Sequence, residues 1–270
     1  MMWSRVERLA GAPPRRLEDL PWPAIRALQD EGEELLVIPL GATEQHGPHL
    51  PVNTDTIIAE AVCAYASAKT GVPAAPVQPY TVSIGHTSKW PGTFSLSPAT
   101  FVEMLQSLGE WCLRTGWKRL LFVNSHFGND ASLRVAVDLL RTTYLGSLQV
   151  GLRHVFQLTP EIWQAYTEDA DDLHANKAET DLMLFLAPEV VDMEAVADDP
   201  DRTAGTVFSY PVAQTSLNGV TGRPSEGDAD DGRRLFLAMG EALATVLEEA
   251  RNEEPPLPAD HWHNLPHRSS

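Results

Sequence analysis

Residues 35–56 read LLVIPLGATEQHGPHLPVNTDT, an apolar run followed directly by a polar stretch. Residues 35–40 are apolar at every position, which is typical of a strand that is buried on both faces of a parallel sheet. In open α/β sheets, ligands bind just beyond the carboxyl ends of such strands. The stretch therefore predicts a parallel α/β fold with a binding site where this strand ends.

The polar half of this stretch carries candidate metal ligands. Glu44, His46, His49 and Asp55 lie within twelve residues. Glu44 and His46 are two positions apart, so on an extended backbone both side chains project to the same side. Carboxylate and imidazole groups together suit divalent Zn, Mn or Fe. The alternative is a polar surface loop, in which Asp55 caps the helix that follows.

Two further clusters carry residues of the same kinds. His126 follows the apolar run at 119–124, where its side chain can face the same crevice as Glu44; otherwise it caps a helix or packs. His174 and Glu179 lie close together farther along the chain. Glu179 precedes an apolar helical stretch, so it either interacts with the helix dipole or points into the crevice as a ligand.

The other histidines carry less weight. His154 lies in a strand pattern, and we expect a structural role for it. His261, His263 and His267 occupy a Pro-rich tail without neighbouring carboxylates arranged as a site. We do not expect them to bind metal in function.

Strands and helices are predicted to alternate along the chain. Besides 35–40 and 119–124, we expect strands at 74–81 and 148–156. Helices are predicted at 21–30, 56–69, 99–115, 130–143, 179–186 and 235–249. Such alternation indicates an α/β fold with a mostly parallel central sheet and helices on both of its faces. We expect one domain over residues 1–250 and a Pro-rich, frayed tail over 251–270.

Composition limits the partners and the location that the chain can have. The net charge is −17, and phosphate binding needs clustered Lys and Arg, so the composition argues against nucleic acid and anionic membranes as partners. No apolar run has the length of a signal peptide core or of a membrane span. We therefore expect a soluble, cytoplasmic protein. A chain of 270 residues needs no metal in order to fold, so a metal cluster would favour catalysis.

Four segments of the chain together resemble a known family. They read GATEQHGPHLPVNTDT at 41–56, WPGTFSLSP at 90–98, VNSHFGN at 123–129 and HANKAET at 174–180. In this order they closely resemble the creatininase (creatinine amidohydrolase) family. The resemblance implies a three-layer αβα sandwich and a two-metal hydrolytic centre. It also implies a homo-oligomer, often a hexamer, and substrates among cyclic amides, formamides and peptides.

The resemblance assigns roles to the candidate ligands. Glu44, Asp55 and His126 would hold one divalent metal ion, and His46 would hold a second ion together with the bridging Asp55. Creatininase proper has a glutamate ligand two residues after the histidine that matches His126, where this chain has glycine. Glu179 is expected to take that role, or to act as a base if it is not a ligand.

The resemblance also predicts catalytic and substrate-binding residues. His174 would be the catalytic acid or base or a substrate contact, with His49 as a weaker candidate for proton transfer. We expect His49, His86, Trp90 and Gly92 to contribute to the substrate pocket, although Trp90 is equally explained as a packed loop anchor.

The predicted activity is hydrolysis of a C–N amide bond in a small metabolite, either a cyclic amide or a formamide-like compound. The tryptophans that line the pocket of creatininase proper are missing before His174, so creatinine itself is not the expected substrate. The alternatives are a peptidase that trims a short peptide in cofactor maturation, and a non-catalytic protein that retains the fold. The expected cofactors are two divalent ions of Zn, Mn or Fe.

Overall fold

Three parallel strands form the centre of the molecule. The computed structural model describes residues 2–262, with β1 at Leu35–Leu40, β2 at Arg119–Asn124 and β3 at Gln149–His154. The strands lie side by side in the order β1-β2-β3. Their register aligns the last residues of all three. One edge of the sheet therefore presents all three carboxyl ends at the same level.

Helices cover both faces of this sheet. Within residues 2–262 the α-helices are α1 Met2–Ala10, α2 Trp22–Asp30, α3 Thr54–Thr70, α4 Pro98–Arg114, α5 Asp130–Thr143, α6 Pro160–Tyr166, α7 Lys177–Leu186, α8 Val212–Thr215 and α9 Ala229–Asn252. Residues of α1, α3, α6, α7 and α9 form one hydrophobic core against the sheet. Residues of α2, α4 and α5 form the other. The predicted three-layer α/β fold with a parallel sheet is confirmed.

Alternation along β1 explains how one strand serves two cores. Val37 packs in the core that contains Tyr65 and Phe236, whereas Ile38 packs in the core that contains Phe101. Successive side chains of a strand point to opposite faces, so an apolar run is needed when both faces are covered. Full burial of each such side chain contributes about 1.5–3 kcal/mol.

The segment at 74–81 differs from its prediction. It runs beside β1, but only Ala74 and Gln78 make parallel bridges to that strand. Pro76 lies between them and has no N–H to donate to a ladder. The prediction of a regular strand is therefore wrong, although the segment still flanks the sheet.

The presence of a helix was predicted more accurately than the residues at which it begins and ends. The helix predicted at 130–143 has those bounds. α4 begins at Pro98, directly after Ser97, whose hydroxyl accepts the Thr100 N–H and caps the helix. α1, α6 and α8 were not predicted. None of the helices in residues 2–262 combines the length and apolar character that crossing a membrane requires.

The boundary at residue 250 stays a prediction. α9 continues to Asn252, two residues past that boundary. Residues 263–270 of the predicted tail, including His263 and His267, lie outside the described residues.

Candidate metal centre

The five predicted ligands meet at the carboxyl edge of the sheet. Glu44 and His46 follow β1, His126 follows β2, Asp55 lies in the first turn of α3, and Glu179 lies in the first turn of α7. All five side chains are buried. The structure therefore brings together residues that span more than half of the chain.

Asp55 lies between two imidazoles. Its Oδ1 is 3.6 Å from Nε2 of His46, and its Oδ2 is 3.1 Å from Nδ1 of His126. On the outer sides, Oε2 of Glu44 is 3.3 Å from Nε2 of His126, and Oε2 of Glu179 is 4.0 Å from Nε2 of His46. The cluster thus has two halves that share Asp55.

The turn before α7 sets the position of Glu179. Ala175 has a φ of +48°, which turns the chain sharply between His174 and the helix. The side chain of Asn176 accepts the N–H of Glu179 and caps α7. His174 exchanges backbone hydrogen bonds with Thr221 at 3.1 and 2.7 Å. These contacts hold His174 and Glu179 side by side at the base of the cleft.

Several atoms in this cluster lack the partners that buried polar atoms normally have. Both carboxylate oxygens of Glu44, Nε2 of His46, Oδ2 of Asp55 and Oε2 of Glu179 have no hydrogen-bond partner among the described residues. His46 donates its Nδ1–H to the carbonyl oxygen of Glu44 at 2.9 Å, which leaves Nε2 facing the cluster. Unpaired buried charges are costly unless they pair or coordinate metals. The residues therefore fit a cation of the Zn, Mn or Fe type.

Burial and mutual attraction shift the pKa values in the cluster. Burial raises the pKa of Glu44 and raises that of Glu179 to about 7. Burial alone would lower the pKa of His46, but Asp55, Glu179 and Glu44 outweigh it and raise the value to about 10. The same competition raises the pKa of His126 to about 9. Burial opposes ionisation of Asp55, yet the two imidazoles hold its pKa far below the usual range. A cation competes with these imidazole protons, because ligating imidazoles are neutral.

Gly128 stands where the family resemblance implies a glutamate ligand in creatininase proper. A Cβ added there would lie 2.5 Å from Nε2 of His126 and 2.6 Å from the carbonyl oxygen of Val82. No side chain fits at this position unless His126 or the backbone shifts. On the His46 side of the cluster the nearby glutamate is Glu179, whose Oε2 is 4.0 Å from Nε2 of His46.

Gly128→Ala should weaken metal binding because the new methyl group displaces the His126 ring. We expect metal affinity to fall by about 10–100-fold, as for changes that misplace a ligand. The matched control is Gly85→Ala, since a Cβ at Gly85 meets nothing within 4 Å. Isothermal titration with Zn²⁺ measures both variants. Equal affinities would contradict the proposed role of His126.

A buried amide network lies beneath His126. Oδ1 of Asn129 accepts the N–H of Val82 at 3.0 Å. Its Nδ2 donates to the carbonyl oxygen of Gly41 at 3.1 Å and to Oδ1 of Asn124 at 2.9 Å. Asn124 in turn donates to the carbonyl oxygen of His126 at 2.7 Å. Asn129 therefore ties together the ends of β1 and β2 and the loop at residue 82.

Asn129→Ala should destabilise the fold, because it leaves the N–H of Val82 without its partner in the interior. Each buried group left unsatisfied costs about 1–3 kcal/mol, so the free energy of unfolding should fall by at least that amount. Urea unfolding measures the change. Asn252→Ala, at the exposed end of α9, is the control and should change stability by less than about 0.5 kcal/mol. Matching losses in the two variants would exclude this role of Asn129.

His154 has the structural role predicted for it. Its Nε2–H donates to Oδ1 of Asp130 at 2.8 Å, and its Nδ1 accepts from Nδ2 of Asn124 at 2.9 Å. The ring thus connects the end of β3 to the same amide network.

A cleft of about 320 Å³ opens above the cluster. His86 and His174 lie on its wall, with ring centroids 4.2 Å apart, and His174 is 4.5 Å from the ring of His46. Apolar parts of Phe127, Tyr210, Val82, Ile84, Leu173, Pro211 and Val212 also line the cleft. Burial lowers the pKa of His174 well below its usual range, and lowers that of His86 to about 3.

Three residues expected in the substrate pocket lie outside this lining. His49 is buried behind the cluster, where its Nε2–H donates to the hydroxyl of Thr180 at 2.9 Å. Burial and the neighbouring His46 lower the pKa of His49 to about 4. Trp90 and Gly92 belong to the neighbouring loop, and neither is among the cleft-lining residues.

The loop that carries Trp90 is anchored to neighbouring residues. The ammonium of Lys89 lies 4.5 Å from the ring of Trp90 and donates to the carbonyl oxygens of Ser216 and Leu217 at 2.9 and 3.2 Å. Gly92 has a φ of +108°, and a Cβ there would be 2.7 Å from Val52. The alternative reading of Trp90 as a loop anchor thus agrees with its position.

The structure also adds residues that the sequence did not single out. The hydroxyl of Ser83 is 3.2 Å from Nε2 of His126. Tyr166 is fully buried and its hydroxyl has no partner among the described residues; it belongs to α6, which was not predicted. Gln45 contacts His86 and His174. Neighbouring side chains of an extended chain point apart, so the pattern that pairs Glu44 with His46 gives no signal for Gln45.

Comparison with known proteins identifies the relatives of this chain. The family model described as creatinine amidohydrolase matches residues 18–247. The chain belongs to the creatininase family. The predicted resemblance is confirmed, and so is the prediction of a hydrolase acting on C–N bonds.

Individual members of the creatininase family align with most of the length of this chain. The creatinine amidohydrolase of Pseudomonas putida is 28% identical over 247 residues, which cover 86% of this chain and 95% of that protein. A mycofactocin precursor peptide peptidase of Mycolicibacterium smegmatis is 33% identical over 228 residues, covering 79% and 84%. A mutant creatininase of Zn-Zn type superposes with a TM-score of 0.77 at 26% identity, covering 88% of this chain and 98% of the other.

Proposed function

We propose that this creatininase-family protein is a metal-dependent amidohydrolase for a small cyclic amide or a formamide-like metabolite. The observation that carries the proposal is the set of unpaired carboxylate and imidazole atoms at the floor of a cleft. Such a cluster costs stability unless a cation completes it. Its place at the carboxyl edge of a parallel sheet is where α/β enzymes bind their ligands.

We expect two divalent ions, of Zn, Mn or Fe. Glu44, Asp55 and His126, whose ligand atoms lie within 4.8 Å of one another, would hold one ion. His46, Asp55 and Glu179 would hold the other, and the two oxygens of Asp55 face different imidazoles, as a bridging carboxylate requires. Bound ions of this kind lower the pKa of a water molecule and polarise the carbonyl group under attack.

His174 is the candidate for proton transfer. Its Nε2–H donates to the carbonyl oxygen of Gln45 at 2.7 Å, so Nδ1 of the neutral ring carries a lone pair. That atom can accept a proton from the attacking water and pass it to the departing nitrogen. Glu179 is the second candidate, in the case that it does not bind metal.

The cleft favours a small substrate without negative charge. Its volume of about 320 Å³ lies at the lower end of the range for ligand pockets, which is about 300–1,000 Å³. Lys and Arg do not occur among the described residues that line it. An anionic substrate would therefore find no Lys or Arg side chain in the cleft, and only the proposed metal ions could balance its charge.

A short peptide is the second candidate substrate. The mycofactocin precursor peptide peptidase shares more identity with this chain than the creatinine amidohydrolase does, at 33% against 28%. A peptide would occupy the cleft with its scissile residues and extend over the apolar rim formed by Ile84 and Tyr210.

A substrate panel tests the proposal. Protein reconstituted with Zn²⁺, Mn²⁺ or Fe²⁺ is incubated with cyclic amides including creatinine, with N-formyl compounds and with short peptides, and products are identified by mass spectrometry. Asp55→Ala is the control. We expect metal-dependent cleavage of a small amide that the variant does not perform. Cleavage of peptides alone would support the second candidate, and no turnover by metal-loaded protein would support a non-catalytic role.

We also propose that the protein is cytoplasmic and forms a homo-oligomer, with a hexamer expected from the family resemblance. Light scattering on the purified protein measures the assembly. A monomer at micromolar concentration would contradict this part of the proposal.

A further inference from the structure

The two carboxylate oxygens of Glu44 face different neighbours. Oε2 is directed at His126, whereas Oε1 is 3.3 Å from Nδ1 of His86 and 3.3 Å from Nδ1 of His174. Ligand atoms of Glu44, His86 and His174 all lie within 4.8 Å of one another. The two-ion arrangement uses Oε2 of Glu44 and leaves Oε1 without a role.

We assign the protons of the His86 and His174 rings from their contacts with Gln45. The N–H of Gly47 donates to Oε1 of Gln45 at 3.0 Å, so the other amide atom, Nε2, is the donor. That atom is 3.1 Å from Nδ1 of His86, which therefore accepts. Nε2 of His174 is 2.7 Å from the carbonyl oxygen of Gln45 and 3.1 Å from its Nε2, and we assign the ring proton to the shorter contact, in which Nε2–H donates to the carbonyl oxygen. In the neutral rings, Nδ1 of His86 and Nδ1 of His174 are thus both acceptors.

Three acceptors therefore surround one point. Oε1 of Glu44 is fully buried and has no hydrogen-bond partner among the described residues. It faces two nitrogen lone pairs, which is unfavourable unless a positive partner lies between them. A cation bound to Nδ1 of His86 would replace the hydrogen bond from Nε2 of Gln45. The amide of Gln45 would still donate to the carbonyl oxygen of Gly219 at 3.3 Å.

The donor set suits a transition-metal cation. Two imidazoles and one carboxylate form a common zinc-ligand set that leaves an open position for water. All three residues line the cleft, and the side chains of His86 and His174 are 18% and 11% exposed. A cation can therefore reach this group from solvent.

We propose that Glu44, His86 and His174 form a third cation position, which fills only when metal exceeds the two ions of the proposed catalytic centre. Its affinity is lower because Glu44 is shared with the neighbouring ion and because two cations that share one carboxylate repel each other. The inference rests on the proposed function in one respect: an ion bound to Nδ1 of His174 blocks the atom proposed for proton transfer. Excess metal then inhibits turnover.

Metal stoichiometry tests this position without any substrate. Wild-type protein, His86→Ala and the control His261→Ala are dialysed to equilibrium against increasing ZnCl₂, and bound zinc is counted by elemental mass spectrometry. His261 has a largely exposed side chain, so its variant controls for the loss of a surface histidine. We expect three equivalents in wild type and in His261→Ala, and two in His86→Ala.

The outcomes separate this inference from the proposed function. Two equivalents in wild type, or an unchanged count in His86→Ala, would overturn the third position and leave the dinuclear centre standing. No bound zinc in any protein would overturn both. If His86→Ala does not show the cooperative thermal unfolding of wild type, His86→Gln takes its place, and the same loss of one equivalent is expected.

Discussion

Replacing Asp55 by alanine is expected to remove both tightly bound metal ions and all hydrolytic activity. Asp55 is the residue whose two oxygens face both halves of the cluster, at 3.6 Å from His46 and 3.1 Å from His126. Its loss therefore removes a ligand from each ion at once. Changes to groups that only support a ligand cost about 10–100-fold in metal affinity, and we expect a larger loss here. Elemental mass spectrometry measures the bound metal.

A control separates this effect from a general loss of acidic charge. Asp138 lies on the exposed face of α5, with a side chain that is 65% exposed and paired with Arg141, so Asp138→Ala should keep both ions. Circular dichroism verifies that Asp55→Ala remains folded. An Asp55→Ala protein that still hydrolyses an amide would contradict the proposal of two metal ions bridged by Asp55.

Glu179→Gln is expected to lose one equivalent of metal and retain the other. Glu179 contacts the His46 half of the cluster, and a neutral amide is a weaker ligand than a carboxylate at nearly the same volume. The Gly128 position offers no substitute, because a side chain there would collide with His126. Activity should fall by at least about 100-fold, whether the residue holds an ion or transfers a proton.

The count of bound metal distinguishes the two roles of Glu179. Two retained equivalents with low activity would mean that Glu179 is the base and would contradict its assignment as a ligand. Glu189→Gln is the matched control, since Glu189 is an exposed residue just beyond α7. It should retain both ions and full activity.

The sequence predicted the strands that carry the site because their apolar runs are unbroken. Both β1 and β2 have the predicted bounds. The prediction of a strand at 74–81 was wrong because its prolines remove ladder hydrogen bonds, although the segment still lies beside β1. Parallel strands end at one edge, and this is why residues as distant as Glu44 and His126 could be placed together in advance.

Orientations within loops could not be predicted in the same way. His49 is close in sequence to His46, yet contacts with Thr180 turn it away from the cleft. Trp90 and Gly92 depend on tertiary contacts that no local spacing encodes. The collision that excludes a side chain at Gly128 arises from the loop at residue 82, which packs against it and is distant in sequence.

Metal content tests the central claim most directly. Protein purified without a metal-affinity step is analysed by elemental mass spectrometry, together with His126→Ala. We predict about two equivalents of Zn, Mn or Fe per chain in wild type and a clear loss in the variant. Absence of bound metal in wild type, even after reconstitution with each of these ions, would contradict a metal-dependent hydrolytic centre in this protein.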